Sequence, residues 1–257
     1  MILRSWTAAR KMYYRARGYC NGSLNGLPFR LDPYHSKFWH KASSGNWEPE
    51  TFAVLDAHLD AQHDYLDIGA WIGPTVLYGA RKARRVFCFE PDPVAFRHLA
   101  WNLELNKITN VSAFSVALSQ KMGIARMASF GGEAGDSMTS LLNDGSHGSD
   151  VLTVGWNDFA TNANLSRVTL VKMDIEGAEF DVLPHLLPWL REQRPALFLS
   201  THAPFLAESE RYDRMQTLAE QLSFYSCCRE DTGLETGNAP LLSERALTRF
   251  PTFLFSK

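Results

Sequence analysis

Three carboxylates crowd the end of an apolar run. In "VKMDIEGAEFDVL", Val171 to Leu183, the acids Asp174, Glu176 and Glu179 fall within six positions. Acids gather at helix starts because the helix N-terminus carries partial positive charge, and Glu179 fits that role. Asp174 differs: it closes the apolar run and precedes a turn at Gly177, which puts it at the carboxyl end of a strand. His202 closes a second apolar run, "FLSTH", and points to the same sheet edge. Such a cluster suits transfer to a hydroxyl, where a base must take the proton as the new bond forms. His202 has an intrinsic pKa suited to that task. Asp174 and Glu176 either orient the histidine, accept the proton themselves, or bind a divalent ion; the spacing does not choose, and no dedicated metal site is expected.

A second constellation precedes it. "DIGAWIGPT" ends a short apolar run with Gly69 and Gly73, residues that permit a tight turn and a close backbone approach to a ligand. Glu90 ends the next apolar run, 21 positions after Gly69, the distance at which an acid accepts hydrogen bonds from ribose hydroxyls. The spacing is G-x-x-x-G, not the dinucleotide pattern G-x-G-x-x-G. Asp67 beside the loop opposes a pyrophosphate but suits a ligand that is positive there. S-Adenosyl-L-methionine meets both demands: it keeps adenine and ribose and replaces phosphates by a sulfonium and an ammonium. A nicotinamide-dependent oxidoreductase and a non-catalytic cofactor-binding protein are the alternatives.

These positions need a sheet to bring them together. From Asp64 the chain alternates short apolar strands ("DYLDIG", "RRVFCFE", "NVSAFSVAL") with helices ("PTVLYGARKA", "DPVAFRHLAWNLELN"). Asp92 reads as an N-cap with Pro93 in the first turn. This is the pattern of a parallel sheet covered on both faces, an α/β, doubly wound domain. Residues 120–165 break the rhythm with a Gly- and Ser-rich stretch, read as an inserted hairpin and mobile loop, with "VLTVGWNDF" strand-like. The rhythm resumes with "RVTLVKMD", a helix interrupted at Pro184 and Pro188, "PALFLSTH", a further helix, and two closing strands, "SFYSCCRE" and "FPTFLFSK", antiparallel to one another. The domain spans 49–257, preceded by a helical and loop extension over 1–48. The loop from Met122 to Asp150 and the N-terminal region are expected to shape the acceptor's pocket.

Composition narrows the partners. The net charge of −2 argues against a general nucleic-acid binder. "LDPYH", with a single proline, is a poor match to an amine-methylating acid-Pro-Pro-aromatic site. None of the four cysteines forms a C-x-x-C pair, so zinc is not expected, and free thiols in such a chain point to a reducing, cytoplasmic compartment. No run is long and apolar enough for a transmembrane segment, and the N-terminus lacks a signal peptide's apolar core. Arg4, Arg10, Lys11, Arg15 and Arg17 precede the first acid, Asp32. They make either a solvated basic helix or a peripheral contact with anionic lipid or a glycolipid.

"YLDIGAWIGPTVLYGA", "FCFEPDPVAFRHLAWNLELN" and "VKMDIEGAEFDVL" together resemble the FkbM family of S-adenosylmethionine-dependent methyltransferases, over roughly Trp47 to His202. The resemblance implies the class I methyltransferase fold, a Rossmann-like, doubly wound seven-stranded sheet with an antiparallel last strand. It also implies O-methylation of carbohydrates, glycans or natural products. By that likeness Asp67, Gly69, Ala70 and Gly73 form the loop at the methionine side, Glu90 holds the ribose, and Pro91 and Ala117 lie against the adenine. Glu48 lines the cofactor pocket, and Asp174 and Glu176 match the acidic motif near a small-molecule or glycan acceptor. The sequence departs from the family's pattern at bulky Trp71, at Pro74, and in "FLSTH", which has no acid before the histidine.

Overall fold

The computed structural model describes residues 2–129, 139–140, 148–230, 235–236 and 239–257. Seven strands of four or more residues make the central sheet: β1 (Asp64–Ile68), β2 (Arg85–Phe89), β3 (Val111–Phe114), β4 (Val168–Met173), β5 (Ala196–Ser200), β6 (Cys227–Glu230) and β7 (Thr252–Ser256). Across the sheet they run β3, β2, β1, β4, β5, β7, β6, with the two-residue strand Glu235–Thr236 at the edge beyond β6. β1 to β5 are parallel, and β7 lies antiparallel to both β5 and β6. This is the architecture expected, including the antiparallel pair of closing strands. Strand order reverses between β1 and β4, and such a switch point opens a crevice at the strands' carboxyl ends.

Every residue of β1 and β5 is buried, as befits strands covered on both faces. One face packs Leu66, Phe89, Leu183, Leu186 and Leu199. The other packs Val76, Leu77, Leu99 and Leu170 together with Cys20, Leu24, Phe29, Leu31 and Trp39 of the N-terminal segment. That segment comprises a helix (Ile2–Arg17), an antiparallel hairpin (Cys20–Leu24 with Leu27–Leu31) and a helix (Ser36–Ser43). The Pro93–Leu105 helix starts as expected, with the Asp92 side chain accepting from Val94 N and Ala95 N.

Two local expectations are corrected. The helix Glu179–Gln193 is continuous through Pro184 and Pro188. Each internal proline costs about 3 kcal/mol, but Val182, Leu183, Leu186 and Leu190 are buried, each worth about 1.5–3 kcal/mol, and they hold the helix. "VLTVGWNDF" is not one strand: the strand Ser149–Gly155 ends and a helix runs Trp156–Asn162. Trp156 and Phe159, three apart, then face the core together. The expected hairpin is formed by Gly123–Ser129 against Ser149–Gly155; most of the intervening loop, 130–138 and 141–147, lies outside the described residues. Among the described residues no helix is long and apolar enough to cross a membrane.

Candidate active site

The ends of β1, β2 and β4 converge. Gly69, just past β1, has φ of 91°. A Cβ built there would lie 1.8 Å from the Asp174 carbonyl oxygen, so only hydrogen fits between the two strand ends. Gly69 N and Ala70 N both donate to Phe89 O at 3.0 Å, which ties the loop to β2. Glu90, 7% exposed, is held from both sides: Oε2 accepts from Trp71 N at 2.7 Å and Oε1 from Asp92 N at 2.8 Å. Burial pushes its carboxyl up to about 7, although the Asp92 and Trp71 amides pull the other way.

Beside Glu90 opens a largely apolar cleft, lined among others by Gly69, Trp71, Pro91, Ala117, Met127 and Asp174. Four expected cofactor residues, Gly69, Glu90, Pro91 and Ala117, therefore border one space. The other four do not. Ala70 is buried behind the loop. Gly73, with φ of 93°, approaches Leu99 rather than a ligand: a Cβ would meet Leu99 Cδ1 at 2.5 Å. Glu48 lines a neighbouring cavity instead. Asp67 is fully buried below the loop. Its Oδ2 accepts from Tyr65 OH at 2.9 Å and Thr75 Oγ1 at 2.6 Å. Its Oδ1 has no hydrogen-bond partner among the described residues, with Lys172 Nζ 3.6 Å away.

The neighbouring cavity, about 300 Å³, is mixed in character: it is lined by the polar side chains Glu48, Lys172, Asp174, Glu176 and His202, with Phe205 and Phe250 at one side. Glu176 has φ of 53°, a left-handed conformation that L-residues adopt at a cost; it turns this carboxylate to the same cavity as Asp174. His202 Nε2 lies 3.4 Å from Glu176 Oε2 and 3.6 Å from Asp174 Oδ1, and Nδ1 lies 3.3 Å from Glu179 Oε1. Glu179, fully buried, also accepts from the backbone amides of His202 and Gly177, so it braces the cluster in addition to opening its helix. Burial pulls the His202 pKa down, but Glu179, Asp174 and Glu176 outweigh it and push it up to about 9. Burial also raises Glu176, to about 7, with His202 opposing and the neighbouring acids adding to the rise. For Asp174, burial is outweighed by Lys172 and His202, which hold the carboxyl below its ordinary value. Glu48 is exposed as a residue, yet its carboxylate faces the cavity walls and is raised chiefly by desolvation.

Asp174, Glu176 and His202 place ligand atoms within 4.8 Å of one another. The Lys172 ammonium, 3.5 Å from Asp174 Oδ2, and the imidazolium of His202 already supply this cluster with positive charge. Sequence reasoning passed over Lys172, although a lysine between Val171 and Met173 in a core strand is a readable signal. It also missed Phe205 and Phe250, which only the tertiary fold brings to His202.

The strand order and the antiparallel β7 are those of a class I, Rossmann-like methyltransferase. Residues 67–222 match the methyltransferase FkbM domain, and the chain belongs to this family. It is 30% identical over 139 residues to Methyltransferase 1 of Beauveria bassiana (strain ARSEF 2860), a match covering 46% of this chain and 56% of that protein. It is 30% identical over 159 residues to methyltransferase sdnD of Sordaria araneosa, covering 49% and 61% respectively. The matches thus span less than two thirds of either relative's length. A crystal structure of methyltransferase FkbM from Methylobacillus flagellatus KT aligns over 76% of this chain and 44% of that one, with a TM-score of 0.48 and 17% identity. The TYW2 structure from M. jannaschii, in complex with AdoMet, aligns over 93% and 85%, with a TM-score of 0.47 and 14% identity.

The cofactor is S-adenosyl-L-methionine, and the residues present fit it. An apolar cleft adjoins the buried Glu90 carboxyl, and one oxygen of Asp67 below the loop has no hydrogen-bond partner among the described residues. The cleft is narrow: its free volume is about 60 Å³, room for only a handful of waters.

Proposed function

We propose that the chain transfers a methyl group from S-adenosyl-L-methionine to a hydroxyl of a carbohydrate, glycan or natural product. One observation carries the reading: Asp174 lines both the apolar cleft and the neighbouring cavity. Two binding spaces with a common wall are what a two-substrate group transfer needs, because holding both partners in attack geometry removes much of the entropic barrier.

Glu90 is placed to accept hydrogen bonds from ribose hydroxyls, with Pro91 and Ala117 offering apolar surface to the adenine. Bound there, the cofactor supplies a methyl group on a positively charged sulfur. In the neighbouring cavity the base is Glu176. Among the alternatives the sequence left open, His202, pushed up to about 9, is protonated at neutral pH and has no free pair to accept with, so it serves as a fixed positive charge that orients Glu176 and Asp174. Glu176, at about 7, sits where Brønsted behaviour favours proton acceptance. A nicotinamide dinucleotide suits the loop poorly. The helix after β1 starts at Pro74, which has no N–H, and Gly73 N is taken by Ala70 O at 2.9 Å, so few amides remain for a pyrophosphate.

The test is calorimetry with S-adenosylhomocysteine and with NADH, followed by mass spectrometry of a glycoside and natural-product panel incubated with methyl-labelled cofactor. Binding of S-adenosylhomocysteine with label on an acceptor oxygen is the expected result. Binding of NADH in its place defeats the reading, and cofactor binding with no labelled product reduces it to a binding protein.

A further inference from the structure

The helix Ile2–Arg17 touches the rest of the fold sparingly. From Ala8 to Arg17 every residue is exposed except Tyr14, which is half-buried and packs against the core that holds Trp39. Tyr14 thus marks the side turned to the protein. Roughly opposite it lie Ala9, Met12, Tyr13 and Ala16, at i, i+3, i+4 and i+7, the spacing of one helix face. Met12 is 74% and Tyr13 59% exposed, so the two largest members of this stripe stand in water. In the sequence Ile2 and Trp6 precede Ala9 and Tyr13 by one heptad. Cations flank the stripe on both edges: Arg10 and Arg17, seven apart, on one, and Lys11 and Arg15, four apart, on the other.

The charge of this region is one-sided. Residues 1–31 hold six Lys and Arg and no Asp or Glu, in a chain whose net charge is −2. Among the described residues the ion pairs of Lys and Arg lie elsewhere, at Lys82, Arg84, Arg126, Lys172, Arg214 and Arg245. The cations here rest on rings instead. Arg17 and Arg30 lie 4.1 and 4.9 Å from the centroid of Tyr19, and Arg15 lies 4.8 Å from that of Tyr34. Two guanidiniums against one ring repel each other, and no carboxylate of the fold relieves them. Past Arg30 the positive surface continues into an open groove whose lining includes Arg81 and Lys107 and no carboxylate.

We propose that this face of the N-terminal segment docks on an anionic phospholipid membrane. The helix lies in the plane of the interface, with Met12 and Tyr13 toward the acyl chains and the flanking Arg and Lys toward lipid phosphates, the arrangement of an interfacial amphipathic helix. Long basic side chains suit that position because their stems lie along apolar surface while their charges reach the headgroups. A nucleic acid would use the cations but leave Met12 in water. A second copy of the chain would bring one basic face against another. The contact is independent of the methyl-transfer reading.

The test is vesicle co-sedimentation of the full chain. The vesicles are phosphatidylcholine alone, and phosphatidylcholine with phosphatidylserine at three to one. Binding to the mixed vesicles only is expected, and it should weaken as salt is raised, because screening shortens the reach of exposed charges. Arg10→Gln with Lys11→Gln should weaken it about 25-fold, about fivefold for each charge removed near an anionic surface. Met12→Gln with Tyr13→Gln should weaken it about tenfold or more, the scale of two apolar side chains leaving lipid. All four positions are exposed and lie outside the cofactor cleft, so both double variants should melt like the parent and keep its affinity for S-adenosylhomocysteine. No binding to the mixed vesicles at low salt overturns the proposal, as does equal binding to phosphatidylcholine alone. Undiminished vesicle binding in the Met12 and Tyr13 variant overturns the inserted stripe. Polyuridylate or tRNA that binds more tightly than the mixed vesicles assigns the face to nucleic acid. A dimer in analytical ultracentrifugation that the Met12 and Tyr13 variant dissolves assigns it to a second copy. Either result overturns the membrane contact.

Discussion

Glu176 and His202 each shift the other's titration. Burial lifts the acid to about 7, and the three surrounding carboxylates, against burial, lift the histidine to about 9. If Glu176 is the base, as proposed, turnover needs it unprotonated, so kcat/KM should rise as pH climbs through about 7. It needs His202 protonated to keep Glu176 and Asp174 in place, so it should fall as pH climbs through about 9. The expected profile is a bell between these limits, measured with whichever acceptor the panel yields. Glu176→Gln should remove the rising limb and lower kcat by roughly 10²–10⁴; a variant that keeps both limbs would return the base role to another group. In the proposed reading Glu90 serves the other substrate. Glu90→Gln leaves the Trp71 and Asp92 amides an oxygen on one side only and removes the charged acceptor for ribose. S-Adenosylhomocysteine affinity should drop by about 1.5–3 kcal/mol, read by calorimetry, and equal affinities would end the ribose assignment.

At the scale of elements, the site depends on how closely β1 and β4 end. Gly69→Ala places a methyl against the Asp174 backbone carbonyl, which no rotamer change can relieve, and puts an alanine at φ of 91°. The left-handed backbone alone costs about 1–2 kcal/mol, and parting the strand ends adds to it. Thermal unfolding should show a clear loss of stability, with cofactor binding lost as well; a variant that melts like the parent would mean the strand ends part easily. The strand ends were legible in the sequence because β1, β2 and β4 are apolar runs stopped abruptly by Gly69, Glu90 and Asp174, a change of residue type that any parallel sheet imposes at its rim. The Pro93 helix was legible from its own cap. The proline-containing helix was not, because its stability comes from leucines packing on a sheet that local sequence does not display. Nor were the roles of Asp67 and Gly73, whose partners Lys172 and Leu99 are distant in sequence. Phe205 and Phe250 escaped for the same reason: they meet only because β7 inserts beside β5.

At the scale of the whole molecule, the N-terminal segment is tied to the site through one buried acid. Asp32, from "LDPYH", opens into no cavity described above and is fully buried. Its Oδ1 accepts from Tyr34 N, His35 N and His35 Nδ1 at 3.0, 3.0 and 2.9 Å, and its Oδ2 accepts from Trp39 Nε1 at 2.8 Å. Its backbone N donates to Asn102 Oδ1 at 2.7 Å, and Asn102 Nδ2 donates to Ile72 O at 2.9 Å. Ile72 follows Trp71, whose amide holds Glu90, so the segment before the domain steadies the loop that frames the cofactor cleft. Burial alone would raise the Asp32 carboxyl, but hydrogen bonds from His35 and Trp39, with the His98 imidazole 3.3 Å away, outweigh it and hold it far below the usual carboxylate range. A carboxyl depressed in the folded state adds stability above its unfolded pKa of about 4, and that stability is lost progressively as pH falls further. Asp32→Ala strands several buried donors at once, which costs about 3–5 kcal/mol and should lower the melting midpoint by roughly 6–20 °C in a chain of this size. Between about pH 4 and pH 2 the parent should lose stability more steeply than the variant, which no longer has this group to protonate. In the temperature range where the variant is still folded, S-adenosylhomocysteine should bind it more weakly than the parent, because the loop loses its tie through Asn102. A variant with a lowered midpoint but unchanged affinity would confine Asp32 to stability and leave the cleft's framing to the sheet alone.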